Sequence, residues 1–157
     1  MRLSLTLALF ALTAAQLPAR PPGDDPAAPV RGFIDAFNKG DAATGFAFHA
    51  PGDVSITDEF APYHWHGDHA AEAWAAEYGR NAKANGISNG RVGYGVPTRV
   101  ERAGEHAYVV LPTRYSFRQR GRTMTEAGSI TATVVRTAKG WLMSSWTWSS
   151  PAPHRLK

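Results

Sequence analysis

Apolar and polar positions alternate with a period of two through most of the second half of the chain. Val92, Tyr94, Val96, Thr98 and Val100 form one such run, and Ala107, Val109, Leu111, Thr113, Tyr115 and Phe117 form the next. Met124 to Arg136 is a third, rich in Thr, Val and Ile, and Trp141 to Trp148 is the last. Turns carrying Gly104, Gly121 and Gly140 separate them. Such patterning, with β-branched and aromatic enrichment, predicts a four-strand antiparallel meander over 91–150. A sheet of this kind has a face that must be covered.

The cover is predicted upstream, where the period changes. Val30, Phe33, Ile34 and Phe37 fall at i, i+3, i+4 and i+7, one face of an amphipathic helix that starts at Pro29 and stops at Gly40. Asp41 can cap a second, shorter helix ended by Pro51-Gly52. Val54, Ile56 and Asp58 share the parity of a short strand, with Tyr63 to His66 as its return. A third helix is expected from about Asp68, as its N-cap, to Lys83, with Ala71, Trp74, Ala75 and Tyr78 as its apolar stripe. Helices on one side of an antiparallel sheet make an α+β fold in a single domain over 29–150, with 151–157 as a tail.

The N-terminus adds a different element. Met1-Arg2, an apolar run from Leu3 to Leu12, and Thr13-Ala14-Ala15 have the layout of a secretory signal peptide over 1–15, too short to be a permanent membrane span. Residues 16–28 are Pro-, Ala- and Asp-rich and read as a flexible linker. The expected location is secreted or periplasmic, with no stable membrane insertion.

Charge excludes one class of partner. The chain carries 17 basic and 13 acidic side chains. Without residues 1–15 there are sixteen and thirteen, a mild net +3, and the cluster of Arg114, Arg118, Arg120 and Arg122 around one turn reads as a solvated hairpin tip, so nucleic acid is not an expected partner. There is no cysteine, hence no disulfide and no thiol nucleophile. No Gly-x-Ser-x-Gly and no phosphate-binding Gly-rich loop occurs.

Three groups of residues carry possible chemistry. Asp58 lies at a strand end on the same face as Val54 and Ile56, where an apolar pocket would raise its pKa and fit it to take a proton; the alternative is a turn residue. His64, His66, Asp68 and His69 are packed into six residues, and His-x-His is a metal-ligand spacing, but no third ligand is evident, so no metal is expected. Glu126 alternates with Met124, Gly128 and Ile130, and a carboxyl among such residues should be paired or functional, with Arg114 on the neighbouring strand as a possible partner. Trp74, Tyr78, Tyr94, Tyr115, Trp146 and Trp148 could line an aromatic cavity, although most aromatic residues simply pack.

The order of elements, and three motifs in it, resemble the nuclear transport factor 2-like superfamily, within it the SnoaL-like and ketosteroid-isomerase-like proteins. The motifs are Val30 to Asp41 with its Asn-x-Gly-Asp stop, Gly67 ahead of the Ala-rich helix, and Gly140-Trp141 opening the last strand. The resemblance implies a cone-shaped curved sheet wrapped by three N-terminal helices around a pocket, and pairing of two copies through the convex face. In ketosteroid isomerases the base sits at the strand end that Asp58 occupies here. The family's helix-one Tyr corresponds to Phe33, and no Asp follows Asp68, so that family's oxyanion donors have no counterpart and steroid isomerisation is not expected. Two functions follow. One is an exported binding protein for a small, largely apolar molecule. The other is a cofactor-independent isomerase, lyase or cyclase with Asp58 as general base and His66 or Glu126 assisting. Neither requires a cofactor. They part on whether Asp58 and a second titratable group face one cavity.

Overall fold

The computed structural model describes residues 24–156. The signal peptide and most of the linker expected at the N-terminus lie outside the described residues. Among the described residues three helices, α1 (Ala28–Lys39), α2 (Ala42–Phe46) and α3 (Ala70–Asn85), pack against one eight-stranded sheet. Its strands are β1 (Val54–Thr57), β2 (His64–Gly67), β3 (Ile87–Tyr94), β4 (Arg99–Ala103), β5 (His106–Gln119), β6 (Arg122–Thr137), β7 (Gly140–Ser149) and β8 (His154–Arg155). They run in the order β2-β1-β7-β6-β5-β3, with β4 beside β5 and β8 beside β6. The architecture is α+β, as the patterning predicts.

The helices form where the apolar period places them. Val30, Phe33 and Ile34 are buried, and α1 and α3 stop at Gly40 and Gly86. The Asp41 side chain accepts a hydrogen bond from Thr44 N–H at 3.1 Å and so caps α2. At α3 the expected cap is corrected: Ala73 N–H bonds to His69 O, which puts His69, not Asp68, at the cap position, and no side chain caps the helix there.

The sheet departs from a four-strand meander in three places. The run from Val92 to Val100 is two strands, not one. Both pair with β5, which is long enough to serve β3 with one half and β4 with the other. Pro97 lacks the N–H a ladder needs, and Val96, at 85% exposure, belongs to the link between them. Next, the β1–β2 hairpin joins the sheet through a parallel pairing of β1 with β7, Ile56 opposite Trp146. Finally, the expected tail contributes β8, opposite Met124 and Thr125 of β6.

On the inner face Val109, Leu111, Ile130, Ala132 and Val134 are buried together with Ile56, Met143 and Trp146. The β6–β7 register shifts between Thr133 and Val134, where Ser144 and Ser145 take up an extra residue. Simple alternation would set Trp141 and Met143 on the opposite face from Trp146 and Trp148. The bulge puts all four inside.

Candidate functional site

Between the helices and the inner face lies a cavity of about 550 Å³. Asp58, Trp74, Tyr78, Tyr115, Glu126 and Trp146 all line it. Asp58 follows β1 and continues its inward parity. Its Oδ2 accepts a hydrogen bond from Trp74 Nε1–H at 2.8 Å, and its Oδ1 accepts one from Glu59 N–H at 2.7 Å. Burial pushes the carboxyl up to about 6, against the two donors, which favour its charged form. The fixed carboxylate is thus poised near neutral pH, with its two donors setting its direction.

Glu126 enters from β6, opposite Tyr115 of β5. It is 7% exposed, and burial followed by the nearby charge of Glu59 pushes its carboxyl up to about 7. The Ser150 side chain opposes the rise. Two carboxyls raised towards neutrality by burial therefore line one cavity.

The cavity also holds a pair of hydroxyls. Tyr78 Oη and Tyr115 Oη stand 2.7 Å apart, and burial raises both pKa values, so both remain protonated donors at neutral pH. Room for the pair comes from Gly90 in the irregular part of β3. A Cβ there would lie 2.6 Å from Tyr115 Oη and 2.9 Å from Tyr78 Oη. Sequence reasoning names both tyrosines only as aromatic lining. Their 37-residue separation conceals the hydrogen bond.

Three candidate residues stand elsewhere. His66 is exposed on the outer face of β2, because Trp65 takes the inward position opposite Ile56; an assisting role at Asp58 is ruled out by parity. Its Nδ1 lies 4.0 Å from Asp53 Oδ1, and its ring stacks on His64 at 5.8 Å. Among the described residues no three such ligands converge on a metal position. Arg114 is exposed and pairs in register with Ala127, so it points away from Glu126 and the expected ion pair does not form. Tyr94 lies outside the cavity with its hydroxyl donating to the Asp35 carboxylate at 3.2 Å.

One residue behind the wall carries no motif. His49 Nε2 accepts a hydrogen bond from Trp146 Nε1–H at 3.0 Å, and its ring meets Phe33 edge-on at 5.3 Å. Burial lowers its pKa, which keeps the imidazole neutral and able to accept. It orients the indole that forms part of the cavity.

Raised carboxyl values make stability depend on pH. A buried acid prefers its protonated form in the folded chain, so the benefit is complete below its unfolded value of about 4 and is lost as pH rises through its folded value. For Asp58 and Glu126 that window runs from about 4 to about 7. Urea unfolding should show wild type losing stability across this window, with Asp58→Asn and Glu126→Gln giving flatter profiles. Equal slopes in all three proteins would show that neither acid is desolvated.

Comparison with known proteins agrees with this architecture. The SnoaL-like domain family matches residues 27–153. The chain belongs to that family. Among solved structures it is similar to the hexachlorocyclohexane dehydrochlorinase LinA-type3 from Novosphingobium barchaimii (11% identity, TM-score 0.68, covering 82% of this chain and 88% of that one). It is also similar to a ketosteroid isomerase-like protein from Erwinia carotovora atroseptica (17% identity, TM-score 0.62, 82% and 95%). A third is a nuclear transport factor 2-like superfamily protein from Salmonella enterica serovar Typhimurium (15% identity, TM-score 0.65, 80% and 88%). At these identities the likeness is one of fold. No curated protein matches.

Proposed function

We propose that this SnoaL-like protein is a proton-transfer enzyme of the lyase or isomerase type acting on a small molecule held in its cavity. The observation that carries the reading is the convergence of Asp58, Glu126 and the Tyr78–Tyr115 pair on one apolar space. Asp58, as carboxylate, takes a proton from a substrate carbon. One tyrosine O–H donates to the other, and the remaining O–H of the pair donates to the oxygen or leaving group on which negative charge develops, supplying what Phe33 cannot. The proton taken up by Asp58 is given back to the product or to solvent, and Glu126 assists as the second acid of the cavity. The names dehydrochlorinase and ketosteroid isomerase-like borne by two structural neighbours fit this reaction class.

Removing the donors tests the reading. Tyr78→Phe and Tyr115→Phe should each lower kcat by roughly ten- to a hundredfold while KM changes little. Rates unchanged in both variants would leave the developing charge without its partner and sink the mechanism. The same cavity without turnover would be a binding site, the reading favoured by the apolar and aromatic residues that dominate its wall. In that case affinity alone responds to the substitutions.

Export and pairing belong to the same proposal. The signal-like layout of residues 1–15 supports release from the cytoplasm, and N-terminal sequencing of the exported protein that recovered Met1 would contradict it. The outer face of β5, with Tyr108, Val110 and Pro112, supports pairing of two copies. Light scattering should give a dimer at micromolar concentration, and a monomer there would count against it.

A further inference from the structure

The charge of the cavity wall is one-sided. Three acids line it, Asp58, Glu59 and Glu126, and among the described residues no Lys, Arg or His does. The chain has an excess of basic residues, yet none of the described ones lines this wall. Arg102 and Arg136, for example, pair with Asp24 at another part of the surface and keep its carboxyl down at about 2. Glu126 is buried and Asp58 half-buried, and carboxyls held in such places without a cationic partner are costly; a ligand that supplies positive charge recovers that cost while an apolar ligand does not.

Two of the acids are brought together at one point. Ser150 N–H donates to Glu59 Oε1 at 2.6 Å and Ser150 Oγ–H donates to Glu59 Oε2 at 3.1 Å, and Glu59 and Ser150 both stand close enough to Glu126 to influence its carboxyl. Gly128 makes this possible. A Cβ on it would lie 2.5 Å from Ser149 O and 2.8 Å from Ser150 Cβ, so only glycine lets the end of β7 close down over β6. The same cavity is lined by aromatic faces, with Trp74 and Tyr78 stacked at 5.7 Å and Trp148 set edge-on, at 6.4 Å, to Tyr115, the residue opposite Glu126. Carboxyls next to stacked aromatic rings recognise organic ammonium groups, by charge at one end and by the ring quadrupole at the other.

We infer that the cavity selects a small organic cation, an amine carrying an aromatic or branched aliphatic body, with its ammonium group seated at Glu59 and Glu126. The inference rests on the proposed reaction for its placement, because it leaves Asp58 and the tyrosine hydroxyls free to face the carbon skeleton. It replaces the expectation of a largely apolar ligand with an amphiphilic one. Anionic substrates, such as carboxylates and phosphates, are repelled.

Binding of a cation must couple to protonation. The groups facing Glu126 are Tyr115 from β5, Tyr78 from α3, and Asp58 and Glu59 from the segment after β1. His154 and Arg155 of β8 pair with Thr125 and Met124 but are exposed and do not line the cavity. A cation favours the ionised forms of Glu126 and Asp58, so affinity should rise as pH passes through about 6 to about 7.

The test uses three probes that share a benzyl group on the whole protein, followed by tryptophan fluorescence or calorimetry. They are benzyltrimethylammonium, its neutral isostere neopentylbenzene, and the anion phenylacetate. The first keeps its charge at every pH, so any pH dependence belongs to the protein. Near pH 8 the cation should bind at least about tenfold more tightly than the neutral isostere, and near pH 5, with Glu126 and Asp58 protonated, that advantage should be clearly smaller. Glu126→Gln should weaken the preference, and so should Glu59→Gln, whose exposed position makes it safe for folding. Cation binding no tighter than the isostere's, tighter binding of phenylacetate, or no binding of the cation at all overturns the inference. A lost preference with Asp58-dependent turnover intact removes the ligand class alone. A retained preference without Asp58-dependent turnover removes the enzymatic reading and leaves the cation site standing.

Discussion

Asp58→Asn should lower the rate of proton transfer by a factor of roughly a hundred or more while leaving ligand affinity nearly intact. The amide keeps the shape of the side chain and can still accept hydrogen bonds from Trp74 Nε1–H and Glu59 N–H, so the wall is preserved and the base is gone. In wild type the rate should rise with pH through about 6 as Asp58 ionises, and this rising limb should vanish in the variant. Steady-state kinetics across the pH range reads both effects. An NMR titration of the unliganded protein should find the Asp58 carboxyl well above the ordinary value of about 4. An unshifted value would make Asp58 a turn residue, and the catalytic reading would go with it.

Trp146→Ala should be the most damaging single change to the fold, at about 3–5 kcal/mol. The indole is 3% exposed and sits where β7 meets β1 and β6, opposite Ile56 and Ala132. Its ring lies 5.4 Å from that of Phe33 on α1 and 5.2 Å from that of Trp74 on α3, so both helices rest on it. Deletion removes those contacts, leaves His49 Nε2 without its donor and opens a void that the strands are too constrained to close. Urea unfolding measures the loss. Trp146→Phe keeps most of the volume and should cost clearly less, because the missing N–H affects only His49. Similar costs for the two substitutions would mean that the hydrogen bond, not the packing, carries the effect.

Both predictions depend on an arrangement that local sequence reveals only in part. The period-two runs and the i, i+3, i+4, i+7 stripe of α1 reflect which faces are buried, and burial of a face is a local property of a repeating backbone. That is why the α+β class, the helix stops and the inward parity of Asp58 are legible in the chain. The SnoaL-like motifs are also local, each carried by a contiguous stretch. The division of the first run into β3 and β4 was written in the sequence too, as Gly95-Val96-Pro97, but the alternation around it was stronger than that signal.

What the tertiary structure alone decided is who meets whom. The pairing of Tyr78 with Tyr115, the meeting of Glu59 and Glu126 at Ser150, and the hold of His49 on Trp146 all join residues far apart in the chain. No periodicity records such contacts, since each depends on strand register and on how helices cross the sheet. Register also explains the failures. Arg114 and Glu126 are on adjacent strands, but one step of parity separates pairing across a face from pointing to opposite sides of the sheet. The same step sent His66 to solvent and Trp65 to the core. The bulge at Ser144-Ser145 reversed it, gathering four large side chains on the inner face where uninterrupted alternation would have divided them.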